Sequence, residues 1–259
     1  MMEILICGYG NIGKHVYDEL KNLNSKWWNV NIYDKNNNLY KFTNIDRFYD
    51  YIIICVPTEM KEDGSADIKE VEASIKNIRG QTYVIRSAIP VGTADYLTEK
   101  YNANIVVVPE YWGTTKNCPN QEFMILGGLR DDRNKVCKLY DQVKNGYFKY
   151  IFTDHKTAEL AKYMENCWIA TKVTFCNEFA DIAKKFDISY SELRECWIAD
   201  KRVSPSHTLV YPEQPFYNSH CLNKDIPALI YMCEQEGIET PLIKAVKSIR
   251  DQKAKSLQI

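Results

Sequence analysis

Residues 3–13 read EILICGYGNIG, and this stretch decides the fold. After its first residue, Glu3–Cys7 is a continuous apolar run, the pattern of a strand covered on both faces. GYGNIG (Gly8 to Gly13) follows at once, and a helical segment follows that. A lone GxGxxG also marks ordinary turns. Here the strand before it, the helix after it and Asp34 at the end of the second strand meet three contextual demands of a dinucleotide site. Gly8 allows the tight turn, Gly10 lets the backbone approach a pyrophosphate, and Gly13 permits close helix–strand packing. Asn11 and Ile12 open the helix, whose N-terminal amides then face the phosphates. Asp34 can accept hydrogen bonds from ribose hydroxyls and would repel a 2′-phosphate, so NAD is expected over NADP.

Further strands are expected at Val30–Tyr33, Tyr51–Val56, Thr82–Arg86, Ile105–Val108 and Phe123–Leu126. Most are continuous apolar runs, and they alternate with polar or amphipathic segments. That order predicts an α/β fold, a Rossmann-type doubly wound parallel sheet. Near Asp154 the pattern changes. Lys156–Phe186 becomes one long helical pattern with an apolar stripe through Leu160, Met164, Cys167, Trp168, Phe175, Phe179 and Ile182. Ser189 with Glu192 reads as a capping box opening the next helix. Residues 201–220 form a loop holding Pro205, Pro212 and Pro215. An apolar helix then runs from Cys221 towards Gly237, and Thr240-Pro241 starts a last one. The expected division is a dinucleotide-binding domain over 1–153 and a smaller all-helical domain over 154–259.

With 259 residues and a net charge of −1, the chain can bury a substantial core and carries no nucleic-acid footprint or membrane-directed basic patch. Nine cysteines are scattered without CxxC or Cys/His spacing, which argues against zinc and against a disulfide framework. A reduced, cytoplasmic setting is the plain reading. The N-terminal apolar run is too short for a signal peptide, and no later run is long enough to span a bilayer.

His220-Cys221-Leu222-Asn223-Lys224-Asp225 lies between the Pro-studded loop and an apolar helix. Helix N-terminal amides and the Lys224 charge would favour a thiolate at Cys221, and Asp225 sits one turn on. A nucleophilic cysteine in a chain that also binds a dinucleotide suggests aldehyde oxidation through a thioester.

With these residues in place the chain resembles the UDP-glucose/GDP-mannose 6-dehydrogenase family. Val56-Pro57-Thr58, followed by DGSAD at 63–67, looks like its cofactor-proximal segment. SAIPVGT (Ser87 to Thr93) resembles its ST(I/V)PVGT loop, and Pro109-Glu110 its PEF segment. Ala158 to Glu178 resembles its central helix with a Lys-xxx-Asn pair, Asp200 to Val203 its DxRI turn, and CLNKD its CxPKD nucleophile motif. ETPLIKAV resembles the start of its long dimer helix.

The resemblance implies two successive NAD-linked oxidations of a sugar primary alcohol. Cys221 would be the nucleophile, Lys162 and Asn166 would steady the oxyanion, and Asp225 would be the acid/base partner. Glu110 matches the first PE carboxylate. Val56, Pro57, Thr58 and Lys224 would lie near the cofactor. A homodimer acting on a small molecule, possibly a nucleotide sugar, is implied as well.

Four positions depart from the family pattern. Ala88 replaces a threonine that helps hold water and cofactor, and Thr114 replaces a glutamate. Asn218 and Ser219 replace glycines. The chain ends at Ile259, where the pattern would continue into a second nucleotide-binding domain, so it is expected to be truncated before it. Two other readings stay open: a two-electron hydroxy-acid or alcohol dehydrogenase, and a non-catalytic NAD-binding dimeric scaffold.

Overall fold

The structure is a computed structural model. It describes the chain except residues 24–26, 42, 113–121, 145, 147 and 258–259. The chain divides into two compact units, Met1–Lys61 with Ala66–Lys162, and Glu62–Ser65 with Tyr163–Ile259.

The first unit holds a seven-stranded sheet in the order β2-β1-β3-β4-β5-β6-β7. Its strands are β1 (Met2–Cys7), β2 (Trp28–Tyr33), β3 (Tyr49–Ile54), β4 (Gly80–Ile85), β5 (Ile105–Val107), β6 (Phe123–Gly128) and β7 (Lys149–Thr153). The first five pair in parallel. Alternate residues feed two cores, so β1, β3, β4 and β5 bury continuous, mostly apolar stretches, while β2 buries only Val30 and Ile32. Ile4, Ile6, Ile53, Val84 and Val106 pack with Val16 and Leu20 of α1 (Asn11–Leu20) and with Val136 and Leu139 of α4 (Arg130–Tyr140). Leu5, Ile52, Ile54, Ile85 and Val107 face the other way. They pack on Val71 and Ile75 of α2 (Lys69–Asn77), Ala94 and Leu97 of α3 (Thr93–Tyr101), and Ala158. Each Val, Leu or Ile among these side chains, taken fully from water, contributes about 1.5–3 kcal/mol.

Two features go beyond the sequence reading. β6 runs antiparallel to β5, with Val107 opposite Gly127. β7 is a seventh strand at the sheet edge, where Ile151 and Phe152 stay exposed.

Helix α5 (His155–Lys185) begins where the strand pattern ends. Asp154 caps it, accepting from the Thr157 amide at 2.8 Å and from the Thr157 hydroxyl at 2.8 Å. The second unit holds the remainder of α5 with α6 (Tyr190–Ile198), α7 (His220–Gln235) and α8 (Pro241–Ser256). Ser189 Oγ caps α6 by accepting from the Glu192 amide. Pro241 starts α8, while Thr240 makes no side-chain cap bond. The loop between α6 and α7 is pinned by side chains. Lys172 Nζ donates to the Ser204 carbonyl at 2.6 Å, Tyr190 Oη to that of Thr208 at 2.9 Å, and Arg194 Nε to Thr208 Oγ1 at 2.8 Å.

Candidate active site

Strand order reverses between β1 and β3, so the ends of these strands flank the crevice where open α/β sheets take ligands. The glycine loop leaves β1 there. Gly8 has φ +91°, and a Cβ on it would lie 2.8 Å from the Cys55 carbonyl oxygen, so no other residue fits without strain. A Cβ on Gly10 would meet nothing within 4 Å, so its backbone borders open space. Gly10 is the N-cap of α1 and offers no side-chain cap, so no N-cap side chain occupies the amides of the first turn, where Asn11 and Ile12 stand. An open cradle over uncapped helix amides fits a pyrophosphate.

Asp34 shapes the loop as well as bordering it. Its Oδ2 accepts from the Tyr9 amide at 2.7 Å and its Oδ1 from the Asn36 amide at 2.9 Å. Lys35, the neighbouring cation, pairs with Glu70 at 2.6 Å. From the end of β3, the Val56 carbonyl accepts from Ser87 Oγ at 2.6 Å, and Thr58 Oγ1 donates to the Ala88 carbonyl at 2.7 Å. Val56 and Thr58 are buried and Pro57 is exposed between them. The VPT segment and the SAIPVGT loop are therefore fastened together.

Lys162 and Glu110 meet within the first unit. Nζ lies 3.7 Å from Oε1, both side chains are about nine-tenths buried, and the Tyr111 ring centre is 4.9 Å from Nζ. Glu110 Oε2 also accepts from the Trp112 amide at 2.9 Å, which orients the carboxylate. The pair keeps a buried ammonium compensated. Thr114 lies outside the described residues.

Asn166, Lys224 and Asp225 meet within the second unit. Asp225 accepts from Asn166 Nδ2 on one oxygen at 2.7 Å and from Lys224 Nζ on the other at 2.6 Å. Cys221 is half-buried in the first turn of α7. Ser219 caps that helix, its Oγ accepting from the Leu222 amide at 3.2 Å. Asn218 Oδ1 accepts from Asn223 Nδ2 at 2.9 Å. The two residues that replace glycines thus help define the helix start.

Two residues passed over by the sequence reading stand out. Glu159, fully buried one turn before Lys162, accepts the Gly92 amide of the SAIPVGT loop and the Ala94 amide just beyond it in α3. Its three-residue spacing from Lys162 was the available signal. Arg86, just before Ser87, is fully buried with its guanidinium over the Trp112 ring at 4.5 Å. Only the break in an apolar run marked it.

The sequence matches known proteins over most of its length. The NAD-binding domain of the UDP-glucose/GDP-mannose dehydrogenase family matches residues 28–144, and the central domain of the same family matches residues 156–252. The chain belongs to the UDP-glucose/GDP-mannose dehydrogenase family, and NAD is the cofactor of its first domain. It is 29% identical over 226 residues to a UDP-glucose 6-dehydrogenase of Rickettsia prowazekii, covering 80% of this chain and 51% of that one. The chain spans about half the length of the curated UDP-glucose 6-dehydrogenases it matches.

Among solved structures, a UDP-glucose dehydrogenase from Pyrobaculum islandicum superposes with a TM-score of 0.81 at 20% identity, covering 98% of this chain and 69% of that one. A 3-hydroxyisobutyrate dehydrogenase of Mycobacterium tuberculosis gives 0.75 at 17% identity, covering 98% and 94%. At these identities the two structures establish the fold alone. Among the described residues no helix is long and apolar enough to cross a membrane.

Proposed function

We propose that this chain carries out NAD-dependent oxidation of the primary alcohol of a nucleotide sugar, with Cys221 holding the acyl group as a thioester. The observation that carries the reading is Asp225. It is buried one turn after Cys221, and its two oxygens are held by Lys224 and Asn166. A charged, fully hydrogen-bonded group of this kind is costly to bury, and such groups gather at sites of chemistry.

NAD, held by the Gly8–Gly13 loop and Asp34, supplies the oxidising equivalents when bound. The chain's own residues do the remainder. The Cys221 thiolate adds to the carbonyl carbon of the aldehyde formed in the first oxidation, and oxidation of that adduct leaves a thioester. Lys162 and Asn166, at i and i+4 on α5, donate to the oxygen that gains charge. Glu110 holds the Lys162 ammonium in place. Asp225 fixes Lys224 and Asn166 and exchanges protons with water or thiolate. Water then adds to the thioester carbonyl, and Cys221 leaves with its electron pair.

The protein is read as a homodimer through α5. Met164 and Trp168 are 74% and 61% exposed on that helix, and Phe186 just past its end is 72% exposed, an apolar face that a second copy would cover. A second reading, a single two-electron oxidation of a small hydroxy acid, draws on the fold shared over nearly its whole length with the 3-hydroxyisobutyrate dehydrogenase. The deciding experiment counts NADH formed per substrate consumed with UDP-glucose, GDP-mannose and 3-hydroxyisobutyrate. Two per sugar nucleotide supports the thioester reading, and one per hydroxy acid supports the second. None from any of them leaves a binding protein.

A further inference from the structure

Helix α3 has no cap of its own. Its N-cap residue is Gly92, at φ +87°, with no side chain to accept the first amides. A carboxylate from α5 takes them instead. The Gly92 amide donates to Glu159 Oε2 at 2.6 Å and the Ala94 amide to Glu159 Oε1 at 2.8 Å. Glu159 is 2% exposed, so the two amides, not water, hold its charge. It stands three residues before Lys162 on the same helix. The loop it grips is also fastened near its start, where Ser87 Oγ donates to the Val56 carbonyl and the Ala88 carbonyl accepts from Thr58 Oγ1.

We propose that Glu159 is a positioning residue that locks the SAIPVGT loop to the Lys162 turn of α5, making loop, VPT segment and lysine one hydrogen-bonded frame for the oxidation. The catalytic consequence rests on the function proposed above; the frame itself does not.

The frame responds to pH. Burial pushes the Glu159 carboxyl up to about 7, with Asp95 adding to the rise, while the two amides and His155 pull it down. Among the described residues, the charged groups that act on it are Asp95 on α3 and His155 on α5, with Lys156 beyond Asp95. His155 bonds Asp95 at 2.7 Å and the Ile105 carbonyl at 2.9 Å, and Lys156 lies 3.9 Å from Asp95. A protonated carboxyl turns one acceptor oxygen into a donor, so one loop amide loses its partner. If the loop lets go while the helix stays folded, Glu159 remains buried without its amides, and its pKa rises further. Loop release therefore becomes easier as pH falls through about 7. Global unfolding runs the other way. The folded value lies above the unfolded one, so this group's stabilisation is complete below the unfolded value and is lost as pH rises through about 7.

The test is amide hydrogen exchange at Gly92 and Ala94, corrected for intrinsic rates, at pH 6 and pH 8.5. In the wild-type chain protection should be about fivefold greater at pH 8.5, the size expected for one net hydrogen bond. Glu159→Gln should show weak protection, equal at both pH values. With NAD and UDP-glucose, the wild type should lose kcat on the acid side of pH 7. Glu159→Gln should have a lower kcat without that acid limb and an unchanged KM for UDP-glucose. Equal wild-type protection at both pH values overturns the proposal, and that arm needs no variant to fold. So does a Glu159→Gln protein that keeps both the protection and the acid limb. A wild-type chain that forms no NADH from UDP-glucose removes the proposed function, while the exchange result still decides the frame.

Discussion

Asn166 donates from Nδ2 to Oδ2 of Asp225 at 2.7 Å across 59 residues of chain, with Asn166 3% and Asp225 2% exposed. Asp225 is a buried anion, and its other oxygen accepts from Lys224 at 2.6 Å. An amide donor and an ammonium thus hold the two oxygens of one buried carboxylate.

Removing the anion should be costly. Asp225→Ala takes the carboxylate from the Lys224 ammonium, only 12% exposed, and the acceptor from Asn166. Breaking such a pair from one side costs about 3 kcal/mol or more. Urea unfolding should show this as a fall in midpoint at constant slope. A loss below about 1 kcal/mol would mean that water reaches Lys224 freely.

Most of the fold was legible because it repeats simple patterns. Four of the first five strands bury continuous, mostly apolar runs that feed two cores, and α5 is a long periodic segment starting beside a capping aspartate. β7 was not legible, since an edge strand with Ile151 and Phe152 exposed carries no core-facing run. The reversal of β6 against β5 was also hidden, because strand direction leaves no mark on composition. At the site, the glycine loop and the spacing of Lys162 and Asn166 are local and could be read. The bonds from Asn166 to Asp225 and from Glu159 to Gly92 and Ala94 join distant segments, and no periodicity encodes them.

NAD should bind at least about tenfold more tightly than NADP, a difference on the order of a kcal/mol or more. Asp34 borders the glycine loop, accepting from the Tyr9 amide, and Lys35 is already paired with Glu70. Asp34→Ala should narrow the preference and also weaken NAD itself, because the Tyr9 amide loses its acceptor. Calorimetry with both dinucleotides checks this, and equal affinities in the wild type would contradict it.

Cys221 should be alkylated before the other described cysteines at neutral pH. Burial pushes the Cys7 thiol up to about 11 and the Cys167 thiol to about 12, and raises Cys55, Cys137 and Cys233 as well. Cys196 is exposed and serves as the internal comparison. Position at the start of α7 beside Lys224 should give Cys221 the larger thiolate fraction. Mass-mapped labelling with iodoacetamide decides it, and faster labelling of Cys196 would make Cys221 an ordinary thiol.

The exposed face of α5 should self-associate. Trp168 is 61% exposed, and the Phe175 and Phe179 rings lie 4.6 Å apart further along the helix. Light scattering should return a dimer mass, and Trp168→Glu should return a monomer with unchanged helicity by circular dichroism. A wild-type monomer at high micromolar concentration would refute the interface.

Thioester formation should outpace its hydrolysis. Forming the acyl-enzyme would call on Cys221, Lys162 and Asn166; all three are present, with Asn166 held by Asp225 and Lys162 paired with Glu110. Hydrolysis needs a placed and activated water. Ala88 contributes only a carbonyl, which already accepts from Thr58, and its methyl group cannot hold a water. Thr114 likewise brings no carboxylate. General-base activation of a placed water contributes about 10²–10⁴ in rate, and losing the groups at 88 and 114 that place that water forfeits part of it, so an adduct should build up on Cys221. Rapid mixing with the UDP-linked 6-aldehyde and NAD should give a burst of NADH followed by a slow steady state. Intact mass should show the acyl group, and Cys221→Ser should abolish both signals. Ala88→Thr should raise the steady-state rate while leaving the burst amplitude in place. A linear trace with acid released and no adduct would show that the oxidation bypasses Cys221.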